Sequence, residues 1–537
     1  MPLYLGLDSS TQSLTAIVAE IERDCREIVF QSSLSFDKDL PQYGTRHGVL
    51  PDANPAIACS SPLLWTEALD VMLARVAAGG LNLSRLAAIS GSAQQHGSVY
   101  LAAGAETALA GAAPDRPLHE QVAPVLSRKV SPIWLDSSTP AECAEITEAV
   151  GGAALLAMKT GSRAFERFTG PQIRKFCKRD PSAYAATDRI HLVSSFLASL
   201  LIGRHAPVDP GDASGTNLMD LGASTWWAPA LEATAPGLSA RLPSIRPSRT
   251  VIGTLSTYWR RRHGLPAARV VAWSGDNPCS LIGTGLVREG TVAISMGTSD
   301  VIFGLMQKPR VDATGTGHVF GSPTGEFMGL TVFRNGSLAR ERIRDEFGLS
   351  WAGFSRALET TSPGNDGRIL LPWFEPEITP TVIRPGVRRF GVGAADAPAN
   401  VRAVVEAQQM ALASHSRWMG VDVKTIHATG GAAANRAILQ VMADVFGADV
   451  YQFEVGNSAC LGAALRAFHG DRMAAGDSVD WDEVVQGLAQ PTASTRIRPD
   501  LRSHAIYREL LTLYAAREAE ALGLRQDRTP SSNSTTI

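Results

Sequence analysis

The chain of 537 residues is 45% hydrophobic and 19% charged, the composition of a soluble globular protein. Lys plus Arg (50) nearly balances Asp plus Glu (52) for a formal net charge of −2, which gives no support to a polyanion-binding role, so no nucleic acid partner is expected. Single cores rarely grow beyond roughly 250–300 residues, so two large lobes are expected.

The six cysteines are scattered without a Cys-x-x-Cys pair and read as free thiols of a reducing compartment, with no zinc site. The opening MPLYLGLDSS has no basic segment ahead of an apolar core and is not read as a signal peptide. FLASLLIG, the most apolar stretch, is far short of the ~18 residues of a membrane span. A cytoplasmic protein without a membrane partner is expected, either a monomer or a homodimer.

In chain order, the first element is a hairpin: LYLGLD, the turn SSTQ, and SLTAIVAEI, followed by a further extended run near EIVFQSSLSF. Segments 36–62 and 103–132, rich in Pro, Gly, Ala and short polar residues, read as long surface loops. Between them, Leu64, Ala68, Leu69, Met72 and Val76 recur at helical spacing, and LNLSRLAAISGSAQQHGSVYLA reads as strand, loop, strand. The proline-rich and basic stretch 239–266 precedes a strand at 269–273, which places the lobe boundary there: a first lobe over 1–268 and a second over 269–525. The second lobe alternates strands and helices, the pattern of an α/β architecture: TVAISM, the turn GTSD, VIFGLM, helices near 336–347 and 400–419, KTIHATG, and ANRAILQVMADVFG. A last amphipathic helix spans 504–523, and 526–537 reads as a disordered polar tail.

Several nucleotide and hydrolase signatures are absent: there is no G-x-G-x-x-G, no Walker A loop, no G-x-S-x-G and no H-E-x-x-H. The strongest candidate is ATGGAAANRAILQ, where a strand ends at Gly430 and Gly431 and a helix opens near Asn435. Glycines there admit a flat or anionic ligand to the backbone, and free N–H groups at the helix start favour phosphate; a close strand-to-helix crossover reads the same way. Asp8, before Ser9, Ser10 and Thr11, suits a hydrated magnesium ion and phosphate oxygens, or equally an Asx turn. SAQQHG sets Gln94, Gln95 and His96 on a loop after a strand, able to bind several hydroxyls, although a lone histidine is more often structural. Arg163 and Arg167 lie among aromatics in GSRAFERFTG, and pack along a surface or bind a sugar or phosphate. Asp276, in VVAWSGDNP, follows a strand end, the usual position of ligand-binding groups in open α/β sheets.

GLDSST, SAQQHG, PIWLDSST, GSRAFERFTG, GDASGTNLMD, SGDNP, SMGTSD, FRNGSLARERIRDEFG and ATGGAAANRAILQVMADVFGADV occur in an order that resembles the FGGY carbohydrate kinases, most closely their longer eukaryotic-type branch acting on D-xylulose. The resemblance runs from about residue 3 to about residue 470. It implies an α/β protein of two ribonuclease-H-like lobes, of the actin and sugar-kinase superfamily, with ATP and a ketopentose meeting in an interlobe cleft. It implies phosphorylation of D-xylulose to D-xylulose 5-phosphate with ATP and Mg2+. By resemblance Asp276 is the catalytic base, and His96, Arg167, Asp276 and Asn277 bind the sugar. Gly430, Gly431 and Asn435 contact ATP, Trp351 lies against the nucleotide, Thr11, Gly297 and Thr298 border its phosphates, and Asp8 faces the metal. Kinases for ribulose or glycerol, a non-catalytic sugar-responsive protein, and an actin-like ATPase are the alternatives; SAQQHG and FERFTG, which suit a sugar pocket, weigh against the last.

Overall fold

The computed structural model describes residues 1–22, 25–453 and 456–524. Leu3–Ser9 and Ser13–Glu22 form the expected antiparallel hairpin, in register from Leu3 opposite Glu20 to Ser9 opposite Leu14, and Cys25–Ser35 continues the meander. On its other side Leu3–Ser9 pairs in parallel with Leu86–Ala93, which pairs in parallel with Arg269–Val271 and Ser274–Gly275. Val251–Thr254 closes the edge.

The second sheet repeats this order. Thr291–Met296, Asp300–Met306 and Phe327–Phe333 form an antiparallel meander. Thr425–Thr429 then pairs in parallel with Thr291–Met296, and Asp449–Gln452 with Thr425–Thr429. Three antiparallel strands followed by two parallel ones, twice over, makes the halves topological duplicates, each opening with one of the two hydroxyl-rich hairpins read in the sequence.

Strand alternation separates the two faces of the first sheet. Leu3, Leu5, Leu7, Ala16 and Val18 share a core with the helices Pro62–Ala77 and Val193–Ile202. Tyr4, Ile17, Ala19 and Ile21 pack against Leu461, Ala464, Leu465 and Phe468 of the helix Ser458–Ala474. This helix comes from the end of the second half, yet it covers the sheet of the first.

The expected lobe break at 268/269 does not coincide with the sheets. Arg269–Val271 and Ser274–Gly275 complete the first sheet instead of opening the second, because Leu86–Ala93 offers them a free parallel edge. The segment 103–132 is not loop throughout: Ala105–Ala110 and Leu118–Val122 are short helices that bury Ala105, Leu109, Leu118 and Val122. The final helix runs over Leu501–Ala521. The tail predicted at 526–537 lies outside the described residues.

Helix Asp276–Gly283 is seated by a glycine contact. A Cβ on Gly462 would land on the carbonyl oxygen of Cys279, and one on Gly283 would land on that of Ser458, so the two helices cross at backbone distance. The crossing holds the helix start, and with it Asp276, at the C-terminal ends of Leu3–Ser9 and Leu86–Ala93.

Candidate active site

Gly275 pairs with Ala93 and Ala93 with Ser9, which brings the loops after three strands together. Asp276 follows Gly275 directly. Its Oδ1 accepts hydrogen bonds from the backbone N–H of Asn277 at 2.8 Å and from Asn277 Nδ2 at 3.1 Å. Asn277 Nδ2 also donates to Gln95 Oε1 at 2.9 Å, and Gln95 Nε2 donates to the carbonyl of Gly211 at 3.2 Å. The carboxylate is thereby oriented through a chain of amides.

Electrostatics at this end of the sheet are unusual. Burial, followed by the charge of nearby Asp8, pushes the Asp276 carboxyl up to about 7. Burial also raises Asp8, with the nearby Ser92 hydroxyl opposing the shift, and neither Asp8 Oδ1 nor Ser92 Oγ has a hydrogen-bond partner. Asp212, fully buried, is driven well above the carboxylate range by burial, against the opposing hydrogen bond from Ser194. Among the described residues no Lys or Arg forms an ion pair with Asp8, Asp212 or Asp276. Three carboxyl groups collected without an ion-paired cation leave this region ready to accept protons or positive charge.

His96 sits on the same rim in the left-handed region, with φ of 72°, a conformation uncommon for a residue with a side chain. Burial and the charge of Arg167 lower its pKa to about 3, so the ring is neutral. Nδ1–H donates to the carbonyl of Gly215 at 2.6 Å, which makes Nε2 the acceptor nitrogen. Arg167 donates from Nη2 to Nε2 of His318 at 3.1 Å, and His318 Nδ1 in turn meets the Ser162 hydroxyl at 3.0 Å. Phe165 and Phe168 flank Arg167 at 5.3 and 6.0 Å. His318 belongs to the second sheet, so this polar cluster is assembled from both halves.

The nucleotide candidates surround a separate cavity of about 720 Å³ in the second half, lined among others by Gly297, Thr298, Trp351, Gly431 and Asn435. Its size suits a ligand of nucleotide dimensions. Trp351 is 44% exposed at the wall, with the Arg344 guanidinium over its ring at 4.6 Å. Asn435 caps the helix Arg436–Phe446, with Oδ1 accepting from the backbone N–H groups of Ala437 and Ile438 at 3.0 and 3.3 Å. Its Nδ2 reaches Ser355 Oγ at 2.8 Å, which ties the cap to the helix carrying Trp351. Gly430 stands behind the cavity at φ of 85°, where a Cβ would lie 2.6 Å from the carbonyl oxygen of Met296. Thr11 does not line this cavity; its hydroxyl accepts from Trp134 Nε1 at 2.7 Å.

The structure thus brings Asp8, His96, Arg167, Asp276 and Asn277 into one region, and Gly297, Thr298, Trp351, Gly431 and Asn435 into another. Sequence reasoning missed His318, for which nothing in HVFG signals a site. It also gave no role to Asp212, although GDASGTNLMD was among the resembling motifs.

Two duplicated α/β lobes with one polar cluster shared between them and a nucleotide-sized cavity beside the second meander define a sugar-kinase-type phosphotransferase fold. Comparison with known proteins makes this specific. Residues 121–283 match the N-terminal domain, and residues 292–470 the C-terminal domain, of the FGGY family of carbohydrate kinases. The mouse protein named Xylulose kinase is 43% identical over 534 residues, covering 97% of this chain and 95% of that protein. Xylulose kinase 2 of Arabidopsis thaliana is 42% identical over 490 residues, covering 87% of each. The crystal structure of xylulose kinase from Rhodospirillum rubrum superposes with a TM-score of 0.81 at 20% identity, over 97% of this chain and 99% of that one. The chain belongs to the FGGY family of carbohydrate kinases.

Proposed function

We propose that this enzyme transfers the γ-phosphoryl group of ATP to the terminal hydroxyl of D-xylulose, giving D-xylulose 5-phosphate and ADP. The observation that carries the reading is Asp276: a carboxylate at a strand end, oriented by Asn277 and Gln95, with its pKa raised to about 7 by burial and by Asp8. The identity to proteins named for xylulose, over nearly the whole chain, supports the choice of sugar.

Phosphoryl transfer asks the protein mainly to align the nucleophile and to neutralise charge. Asp276 accepts a hydrogen bond from the sugar hydroxyl and takes its proton as the oxygen bonds to the γ-phosphorus and the bond to the bridging oxygen of ADP breaks. A base with a pKa near the working pH suits that transfer. Neutral His96, through Nε2, and Arg167 hold the remaining hydroxyls, with Asn277 beside them. Gly297, Thr298 and Gly431 meet the nucleotide phosphates, and Trp351 meets the base.

Asp8 fits a magnesium ion through its unpartnered buried Oδ1. Among the described residues no three His, Cys, Asp or Glu side chains converge on a metal cage, which suits a cation keeping water and phosphate oxygens as most of its ligands. Mg2+ bound to ATP would supply charge neutralisation of the phosphates.

ADP release measured across a panel of ketoses and polyols tests the assignment. D-xylulose is expected to give the highest kcat/KM. Turnover of ribulose or glycerol with none of D-xylulose would overturn it.

A further inference from the structure

A cavity of about 560 Å³ lies across the seam between the halves and shares no lining residue with the nucleotide cavity or the Asp276 cluster. One wall is the loop carrying Ile245, Arg246, Ser248 and Arg249; the facing wall is the second-sheet turn Ser322 to Gly325; His469 and Trp481 close the rear. No Asp or Glu lines it. Arg246 and Arg249 are both exposed, and neither side chain forms a hydrogen bond or an ion pair among the described residues. His469 is kept neutral, its pKa lowered to about 4 by burial and by Arg249. Hydroxyls of Ser224, Ser322 and Thr324 add donors, whereas Ile245 and Trp481 supply apolar surface.

Two guanidinium groups in one concavity without a counter-charge suit a dianion, and planar forked donors suit phosphate best. The volume exceeds what inorganic phosphate fills and falls in the range of small-metabolite sites. We propose that this seam cavity binds a small phosphate monoester, its phosphate held by Arg246 and Arg249 from one half and by Thr324 from the other, its organic part against Ile245 and Trp481.

The floor links the cavity to the sugar side. The Ser248 hydroxyl donates to Asp209, whose other oxygen accepts from the Asp212 backbone N–H at 2.9 Å and caps the turn Pro210–Ala213. Gly211 in that turn holds Gln95, the partner of Asn277. The cavity wall is therefore tied by hydrogen bonds to the same segment that orients the amides around Asp276.

Calorimetric titration of the full chain, with ADP present to fill the nucleotide cavity, tests the site using ribose 5-phosphate and inorganic phosphate as probes. Saturable binding of ribose 5-phosphate is expected, weakened at least about tenfold in Arg246→Ala/Arg249→Ala with ADP affinity unchanged. Thr324→Val, on the opposite wall, is expected to weaken it as well, and serves if the arginine variant fails to fold. Absence of saturable binding, or isotherms identical in wild type and both variants, would overturn the site. Inorganic phosphate bound as tightly as the ester would overturn the assignment of an ester.

Discussion

Asp276 sits where ionisation is costly, and that cost, together with its proposed role as the base, gives three predictions. Its folded-state pKa of about 7 lies above the unfolded value of 3.8, so the folded protein binds the extra proton between those limits and the ionised carboxylate weakens the fold as pH rises. Asp276→Asn is therefore expected to raise Tm relative to wild type, by an advantage that grows from about pH 4 to about pH 7 and then levels, worth no more than about 4 kcal/mol. The same substitution is expected to lower kcat by roughly 10²–10⁴-fold while ATP binding, followed by calorimetry, persists. With Asp276 as the proposed base, kcat/KM for the sugar is expected to fall as pH drops through about 7, because a protonated carboxyl cannot accept the hydroxyl proton. A flat profile between pH 5 and pH 8 would contradict that role. Asp276, His96 and Arg167 stood out in the sequence as candidates because each lies in a short motif after a strand or among aromatics, while their proposed roles came from the family resemblance. His318 was not, since its value comes from meeting Arg167 and Ser162 across the fold.

At the scale of elements, the position of Asp276 depends on the crossing of helices Asp276–Gly283 and Ser458–Ala474. Gly462→Ala would drive a methyl group into the Cys279 carbonyl, and backbone relief of such overpacking costs about 1–3 kcal/mol. The variant is expected to lose Tm accordingly, and to lose kcat beyond what lost folding explains, because the helix start moves. Thermal unfolding together with kcat on the folded fraction checks both. The hairpins and the strand–helix alternation of the second half were readable from local pattern. The placement of Arg269–Val271 was not, because a short apolar strand carries no mark of which sheet edge it will join. Helix Ser458–Ala474 reads as an ordinary helix, and only the fold shows it covering the first sheet.

For the whole molecule, the two halves are not independent. A chain truncated after Asn457 would expose the face formed by Tyr4, Ile17, Ala19, Ile21 and Val271, which that helix buries. It is expected to aggregate or to lack a cooperative unfolding transition, and a soluble monomer with a sharp transition would contradict this. Arg167 and His318 join the halves at the proposed sugar site, so Arg167→Ala and His318→Ala are each expected to raise the sugar KM about tenfold or more and to leave the KM for ATP unchanged, as steady-state kinetics with either substrate varied will show. The central claim is that the Asp276 carboxylate faces the reacting hydroxyl of the sugar. A crystal structure of the enzyme with D-xylulose and a non-hydrolysable ATP analogue tests it most directly. The terminal hydroxyl is predicted to lie within hydrogen-bond distance of Asp276, between that carboxylate and the terminal phosphate; a sugar bound with its terminal hydroxyl turned away from Asp276 would contradict the account.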